Sequence, residues 1–295
     1  MDLMKKFGAA AAKESIRQFC PPRCYELAGQ ELHFVIDTGE ETGAYLLHVL
    51  DKKQLEWSKG EGAPKTETYE CRKSDDDTYL LTYTVEGSEP RENHTWIIDM
   101  ENELVTLLRC SLGENPMWPL LVESHFGFGI IQIEGKEHTD IRRHGFTNDV
   151  TGTSVRWTYG NSLSTVHVYH DPHWYRIGYP RGETRSADGA SGIRALMMEM
   201  PSSDEPCYYV KIKEGMYLVS CTEQNLEKIL GARFGFRSNT LCFLDNWNRL
   251  TSVGRAFGTW TKEGQDQPLL MMIGKYGSPQ EVDDHFFTDP IPYLI

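Results

Sequence analysis

The densest run of reactive side chains is His167-Val168-Tyr169-His170-Asp171-Pro172-His173-Trp174-Tyr175. On an extended strand successive side chains alternate between faces, so Thr165, His167 and Tyr169 share one face and His170 takes the other. An imidazole and a phenol on one face suit ligand hydrogen bonding and general acid–base work, because histidine titrates near neutrality. A surface hairpin rich in aromatics is the competing reading. His167, His170 and His173, three residues apart, suit neither a strand face nor a helical zinc pair, and no carboxylate or cysteine cluster stands beside them; no metal site is expected. Glu223 falls on the same face as Tyr217, Val219 and Cys221. A carboxylate there is costly unless paired or functional, the alternative being a solvated side chain after a bulge. Arg255 has a counterpart in Arg109. It either closes a barrel through a salt bridge or holds an anion, since its paired donors match a planar carboxylate. Trp157, Tyr159, Tyr175 and Tyr217 complete the candidate ligand lining around His167, Tyr169 and Glu223.

The elements that must position these residues are short strands. From Gly29 the apolar period is two: Leu32, Phe34 and Ile36 alternate with His33, Val35 and Asp37. Turn clusters such as Thr38-Gly39-Glu40, Lys59-Gly60-Glu61-Gly62 and Asp75-Asp76-Asp77 punctuate strands every 8–12 residues, the pattern of an all-β sandwich or barrel. The template is written twice. Glu26–Trp57 matches Asp149–Ile177, Asp77–Glu89 matches Gly215–Glu227, and His94–Arg109 matches Asn239–Arg255. The offset drifts from 123 residues (Gly29 to Gly152) to 146 (Asp99 to Asp245), as for two diverged copies with loop insertions in the second. The expected organisation is a short N-terminal helix over 1–22, a first barrel over 23–135, a second over 136–262 and a tail over 263–295 packed on the barrels, within which Leu269–Ile273 reads as a further strand or short helix. Phe126-Gly127-Phe128-Gly129 reads as a turn or as close packing, and Phe128–Ile133 as a strand closing the first barrel. An eight-stranded antiparallel barrel has room inside for one small ligand. The second copy carries more inward-compatible His, Tyr, Glu and Arg than the first, where His33, His48, Tyr83 and Arg109 stand among more apolar neighbours.

A net charge of −13 over 295 residues argues against nucleic-acid binding, which needs a basic face. No run approaches the ~20 apolar residues of a membrane helix. The opening Met1-to-Lys13 stretch lacks the apolar core of a signal peptide. Seven cysteines at odd count and without a redox or zinc spacing suggest free, mostly buried thiols and a cytoplasmic protein. There is no P-loop, no Gly-x-Ser-x-Gly and no dinucleotide-binding glycine motif, so no cofactor is expected.

The stretch RRHGFTNDVTGTSVRWTYGNSLSTVHVYHDPHWYRI (Arg142 to Ile177), with MYLVSCTE and LTSVGRAFG downstream, resembles the MoaF proteins. The matching positions are Arg143-His144, Gly152, Thr158-Tyr159, His167 and Tyr169, Glu223, and Gly254, Arg255 and Gly258. Thr153 stands where the family has Lys, and Cys221 where it has Trp. The resemblance implies two tandem lipocalin-like antiparallel barrels and a link by name to molybdenum-cofactor biosynthesis. Related barrels such as phenolic acid decarboxylases work with Tyr, Glu and Arg and no cofactor. The expected function is therefore cofactor-free chemistry (lyase or decarboxylase, cyclase, or isomerase) on a small anionic or aromatic metabolite inside the second barrel. His167, Glu223 and Tyr169 would move or hold protons, and Arg255 would hold a carboxylate. The rival is a non-catalytic carrier or sensor of MoaF type. The expected partner is a small organic molecule, not nucleic acid or membrane; a homodimer is compatible with the sequence.

Overall fold

The computed structural model describes residues 16–117, 121–136, 142–160, 163–178, 202–222, 224, 236–262 and 265–281. Eight strands form the first barrel: β1 (Glu31–Gly39), β2 (Gly43–His48), β3 (Gln54–Lys59), β4 (Lys65–Lys73), β5 (Thr78–Val85), β6 (Arg91–Asp99), β7 (Leu104–Leu112) and β8 (Val122–Ile131). Each pairs antiparallel with the next, and β8 returns to β1, so no edge is left open. The period-two pattern is realised as read: Leu32, Phe34 and Ile36 are buried, and they join Leu47, Leu81, Trp96 and Leu107 in one apolar core. The Phe-Gly-Phe-Gly run is close packing inside β8. A Cβ on Gly129 would lie 2.0 Å from the Val35 carbonyl oxygen.

The second sheet is built from β9 (Gly145–Phe146), β10 (Thr153–Gly160), β11 (Leu163–Asp171), β12 (Trp174–Gly178), β13 (Ser203–Lys213), β14 (Met216–Thr222), β15 (Phe236–Asn246), β16 (Thr251–Lys262) and β17 (Gln265–Pro279). The order is β12-β11-β10-β17-β16-β15-β14-β13, and a β12–β13 pairing closes these eight into a second barrel, with β9 added on β13. The chain divides into two compact units. One holds Pro21–Phe146 with Val210–Met216; the other holds Thr147–Tyr209 and the chain from Tyr217 onward.

One boundary differs from the sequence expectation. The stretch assigned to a tail from 263 contains β17, a strand of 15 residues that pairs with both β16 and β10; without it the second barrel would lack its eighth strand. Most of the expected N-terminal helix, residues 1–15, lies outside the described residues. Ile16 and Arg17 are helical, and Phe19 belongs with the second barrel. Its N–H donates to the Tyr159 carbonyl at 3.1 Å, and its ring meets Tyr276 edge-on at 5.3 Å.

The repeat also needs a correction. Gly29 and Gly152 are true counterparts, both left-handed with φ of 83° and 87° just before the first strand of each barrel. Asp99 and Asp245 are not. Trp96 and Ile98 belong to the core of the first barrel, which puts Asp99 on the other face. In β15, Phe243 belongs to the core and Asp245 shares its face. A one-residue shift exchanges the faces of a strand completely, so the same shift separates Arg109 from Arg255.

Candidate functional site

Cross-strand neighbours share a face. Val155 lies opposite His167, and His167 opposite Ile177; Trp157 lies opposite Thr165, and Thr153 opposite Tyr169. Val155, Trp157, Tyr159, Tyr169, Tyr175, Ile177 and Tyr217 all belong to the core cluster of the second barrel. Of the sequence candidates, His167, Tyr169, Trp157, Tyr159, Tyr175 and Tyr217 therefore line one interior. Glu223 lies outside the described residues. His170 and Asp204, on the opposite face, approach to 3.4 Å, and no group of three His, Cys, Asp or Glu among the described residues could hold a metal.

Arg255 is not in the interior. It pairs in register with Cys242 and Met272, whereas its neighbours Gly254 and Ala256 pair with the core residues Phe243 and Met271. Its guanidinium donates to the Thr240 carbonyl at 3.1 Å. The strand period thus places it on the face opposite the lined interior, not among the other ligand candidates.

The interior has its own cation. Lys275 on β17 follows Leu269, Met271 and Ile273 at the inward period, and its side chain is 0% exposed. Its Nζ lies 3.3 Å from Asp245 Oδ1, whose side chain is also 0% exposed. The ammonium stands 4.2 Å from the Trp157 ring centre and 3.7 Å from that of Phe243. Tyr169 donates its hydroxyl hydrogen to Asp245 Oδ2 at 3.4 Å and accepts from Trp157 Nε1 at 3.2 Å. Trp157, Tyr169, Asp245 and Lys275 thus close a ring of polar and cation–π contacts within an apolar barrel. Beside it, the Tyr159 hydroxyl lies 3.3 Å from Thr165 Oγ1 and 3.5 Å from His167 Nε2. His167 also faces the Tyr175 ring, with centres 5.0 Å apart. Trp247 meets both Tyr169 and Tyr217. Glu205 is buried and lies opposite Tyr175 in register.

Burial sets the protonation states. It pushes His167 well below the usual imidazole range, and the Lys275 charge adds to this, so the ring is neutral at pH 7. Burial, then the Asp245 charge, raises the Tyr169 phenol well above its usual value, so it keeps its proton. Lys275 is lowered by burial, against the pull of Asp245. A neutral imidazole, a proton-holding phenol and a buried lysine that gives up its proton more readily than an exposed one are a set that can accept, donate and relay protons.

The first barrel is less apolar than its sequence suggests. Tyr83, His94 and Arg109 stand side by side in register. Tyr83 Oη lies 3.0 Å from His94 Nδ1, and Glu92 Oε1 lies 2.5 Å from His94 Nε2. A carboxylate on Nε2 fixes the proton there, leaving Nδ1 to accept from Tyr83. Trp96 Nε1 donates to the same phenol at 3.3 Å. Arg109 reaches Glu41 at 2.6 Å, Glu114 at 3.3 Å and Glu92 at 3.4 Å. Its charge is neutralised by the protein's own carboxylates, the salt-bridge reading of Arg109. His33 is exposed and bonded to Glu31. Sequence reasoning missed Lys275, Asp245 and Glu205. The available signal was an inward-period lysine ending the run Leu269, Met271, Ile273.

Residues 6–114 match the family model of the MoaF N-terminal domain. No curated protein matches the chain. A solved structure from Burkholderia vietnamiensis, provisionally described as a beta-lactamase, is 14% identical over 44% of this chain and 95% of its own, with a TM-score of 0.27. That likeness is too weak to bear on fold or chemistry. The match over residues 6–114, most of the first barrel, supports membership of the MoaF family.

Proposed function

We infer that the second barrel binds a small organic molecule and moves a proton on it without a cofactor, as a lyase, decarboxylase, cyclase or isomerase. The observation that carries this reading is the pair of buried polar chains, Trp157–Tyr169–Asp245–Lys275 and Thr165–Tyr159–His167, on the inward faces of an apolar barrel. Each group gave up water when the barrel closed. Apolar residues of similar volume would often be as stable there or more so, so their retention points to use. His167, neutral and next to Tyr159, is the base. Tyr169 is held by Asp245 and Trp157 as a proton donor. Lys275 supplies the cation that Arg255 does not, so an aromatic molecule carrying an anionic or polarised oxygen fits the ring-lined interior.

The test is direct. The full chain is purified and its co-eluting small molecules are identified by mass spectrometry. With that molecule, His167→Ala and Tyr169→Phe should each weaken binding or turnover by ~ten-fold or more, about 1.4 kcal/mol, with the β-sheet circular dichroism retained. Normal binding and turnover in both variants would overturn the reading. A carrier is the second reading, favoured by the complete burial of His167, Tyr169 and Lys275. It predicts a molecule that both variants bind less well and that wild type leaves unchanged.

A further inference from the structure

Lys275 stands in a different setting from Arg109 and His94, the basic side chains described inside the first barrel. In the first barrel Arg109 meets three carboxylates and His94 is bonded at both ring nitrogens. In the second, neither the Lys275 ammonium nor Asp245 Oδ1 makes a hydrogen bond, although they lie 3.3 Å apart and are fully buried. A strut built for stability would align its donor with its acceptor. This pair is held close without being satisfied. The Trp157 and Phe243 rings fix the position of the amine, and the other carboxylate oxygen, Asp245 Oδ2, accepts from the Tyr169 hydroxyl.

We propose that Lys275 is a covalent attachment point for aldehydes or ketones, forming a Schiff base inside the second barrel with Asp245 as its proton acceptor and counter-ion. The inference rests on the reading that this barrel takes a small organic molecule. The ammonium passes one proton to Asp245 Oδ1. The free amine pair forms a C–N bond to the carbonyl carbon, the carbonyl π pair moves to oxygen, and the oxygen takes one proton from the now positively charged nitrogen. The nitrogen pair then forms the C=N bond as the hydroxyl leaves with the proton from Asp245 as water. Ammonium plus carbonyl gives protonated imine plus water, with charge and atoms conserved and no oxidant or reductant. Desolvation supports the step, because it holds the lysine below its ordinary value and makes the free amine available. The aromatic walls favour an aromatic or conjugated carbonyl compound.

The probe is 4-hydroxybenzaldehyde with sodium cyanoborohydride, applied to the full folded chain and read by peptide mass mapping. The predicted result is an adduct at Lys275 exceeding that at the exposed Lys52 and Lys53 by ~ten-fold, the enrichment expected of an activated amine. Asp245→Asn should keep Lys275 and slow its labelling by a similar factor, so the idea does not depend on a lysine variant folding. Labelling confined to surface lysines, or an unchanged rate in Asp245→Asn, overturns the proposal. If Lys275→Arg still retains the molecule that co-elutes with wild type and Lys275 in wild type resists the probe, the Schiff base fails while the second-barrel site survives.

Discussion

At the scale of single residues, burial decides what each polar group can do. His167 is depressed first by burial and then by the Lys275 charge. Its folded value lies below the unfolded value of about 6.5. The unfolded chain therefore takes up this proton first as pH falls, and stability held above pH ~6.5 is lost progressively below it. His144, buried with Thr106 at 2.8 Å, is lowered by burial and acts with the same sign. The carboxylates with lowered values, such as Glu92 and Asp99, also favour folding at higher pH, but their window opens below about pH 4.5. Melting temperature should fall between pH 7 and pH 5, and His167→Gln should make that fall shallower; an equal slope in the variant would remove His167 as a cause. Lys275 and Asp245 form a second residue-scale case. Lys275→Met leaves a buried carboxylate without its cation and should cost roughly 3 kcal/mol or more in urea unfolding. Lys275→Met with Asp245→Leu should recover most of that loss. Additive losses would mean that the two groups are not coupled.

At the scale of elements, the strands were readable wherever one face was apolar and the other polar. Leu32, Phe34 and Ile36 show this, and so does the His167–Tyr169 face of β11. Two failures have one physical source. Both faces of β16 are buried, with Val253 and Phe257 on the Arg255 side and Ala256 on the other. No alternation marks which way Arg255 turns. In β17 the first four residues are exposed and an inward lysine follows three apolar residues, so only Leu269–Ile273 reads as a strand or short helix and its role in closing the barrel is hidden. Part of the polar lining of the second barrel was legible in the clustered His and Tyr. Its charged half, Asp245 and Lys275, was not, because the two are brought together only by closure of the sheet. Closure also fixes the role of the small residues in β8. Gly129→Ala would drive a Cβ against backbone, with Val35 O at 2.0 Å and Ile36 Cα at 2.7 Å. It should cost about 1–3 kcal/mol or more by overpacking. Gly152→Ala meets no neighbour and pays only for its left-handed φ, at roughly 1 kcal/mol. Chemical denaturation that ranked Gly152→Ala as the more harmful of the two would contradict the close approach of β8 and β1.

At the scale of the molecule, two closed eight-stranded barrels give the chain two separate cores, the first built mostly from the stretch that matches the MoaF N-terminal domain. None of the seven cysteines forms a disulfide; five are buried, while Cys20 and Cys24 are half-buried. The Cys71 thiol beside Cys24 holds the latter's value down to about 6, despite partial burial. In the native state a thiol-reactive disulfide reagent should modify two cysteines, Cys24 fastest and already at pH 7, and should reach the other five only on unfolding. Early modification of more than two would show that a barrel core opens more readily than its packing implies. The central claim is that the working interior belongs to the second barrel, with the Arg109 network of the first serving as structure. Native mass spectrometry of the freshly purified full chain tests it most directly, with His167→Ala and Arg109→Ala measured alongside. The prediction is one small-molecule mass carried by wild type and by Arg109→Ala, and lost from His167→Ala. Retention by His167→Ala together with loss from Arg109→Ala would contradict it and move the site to the first barrel.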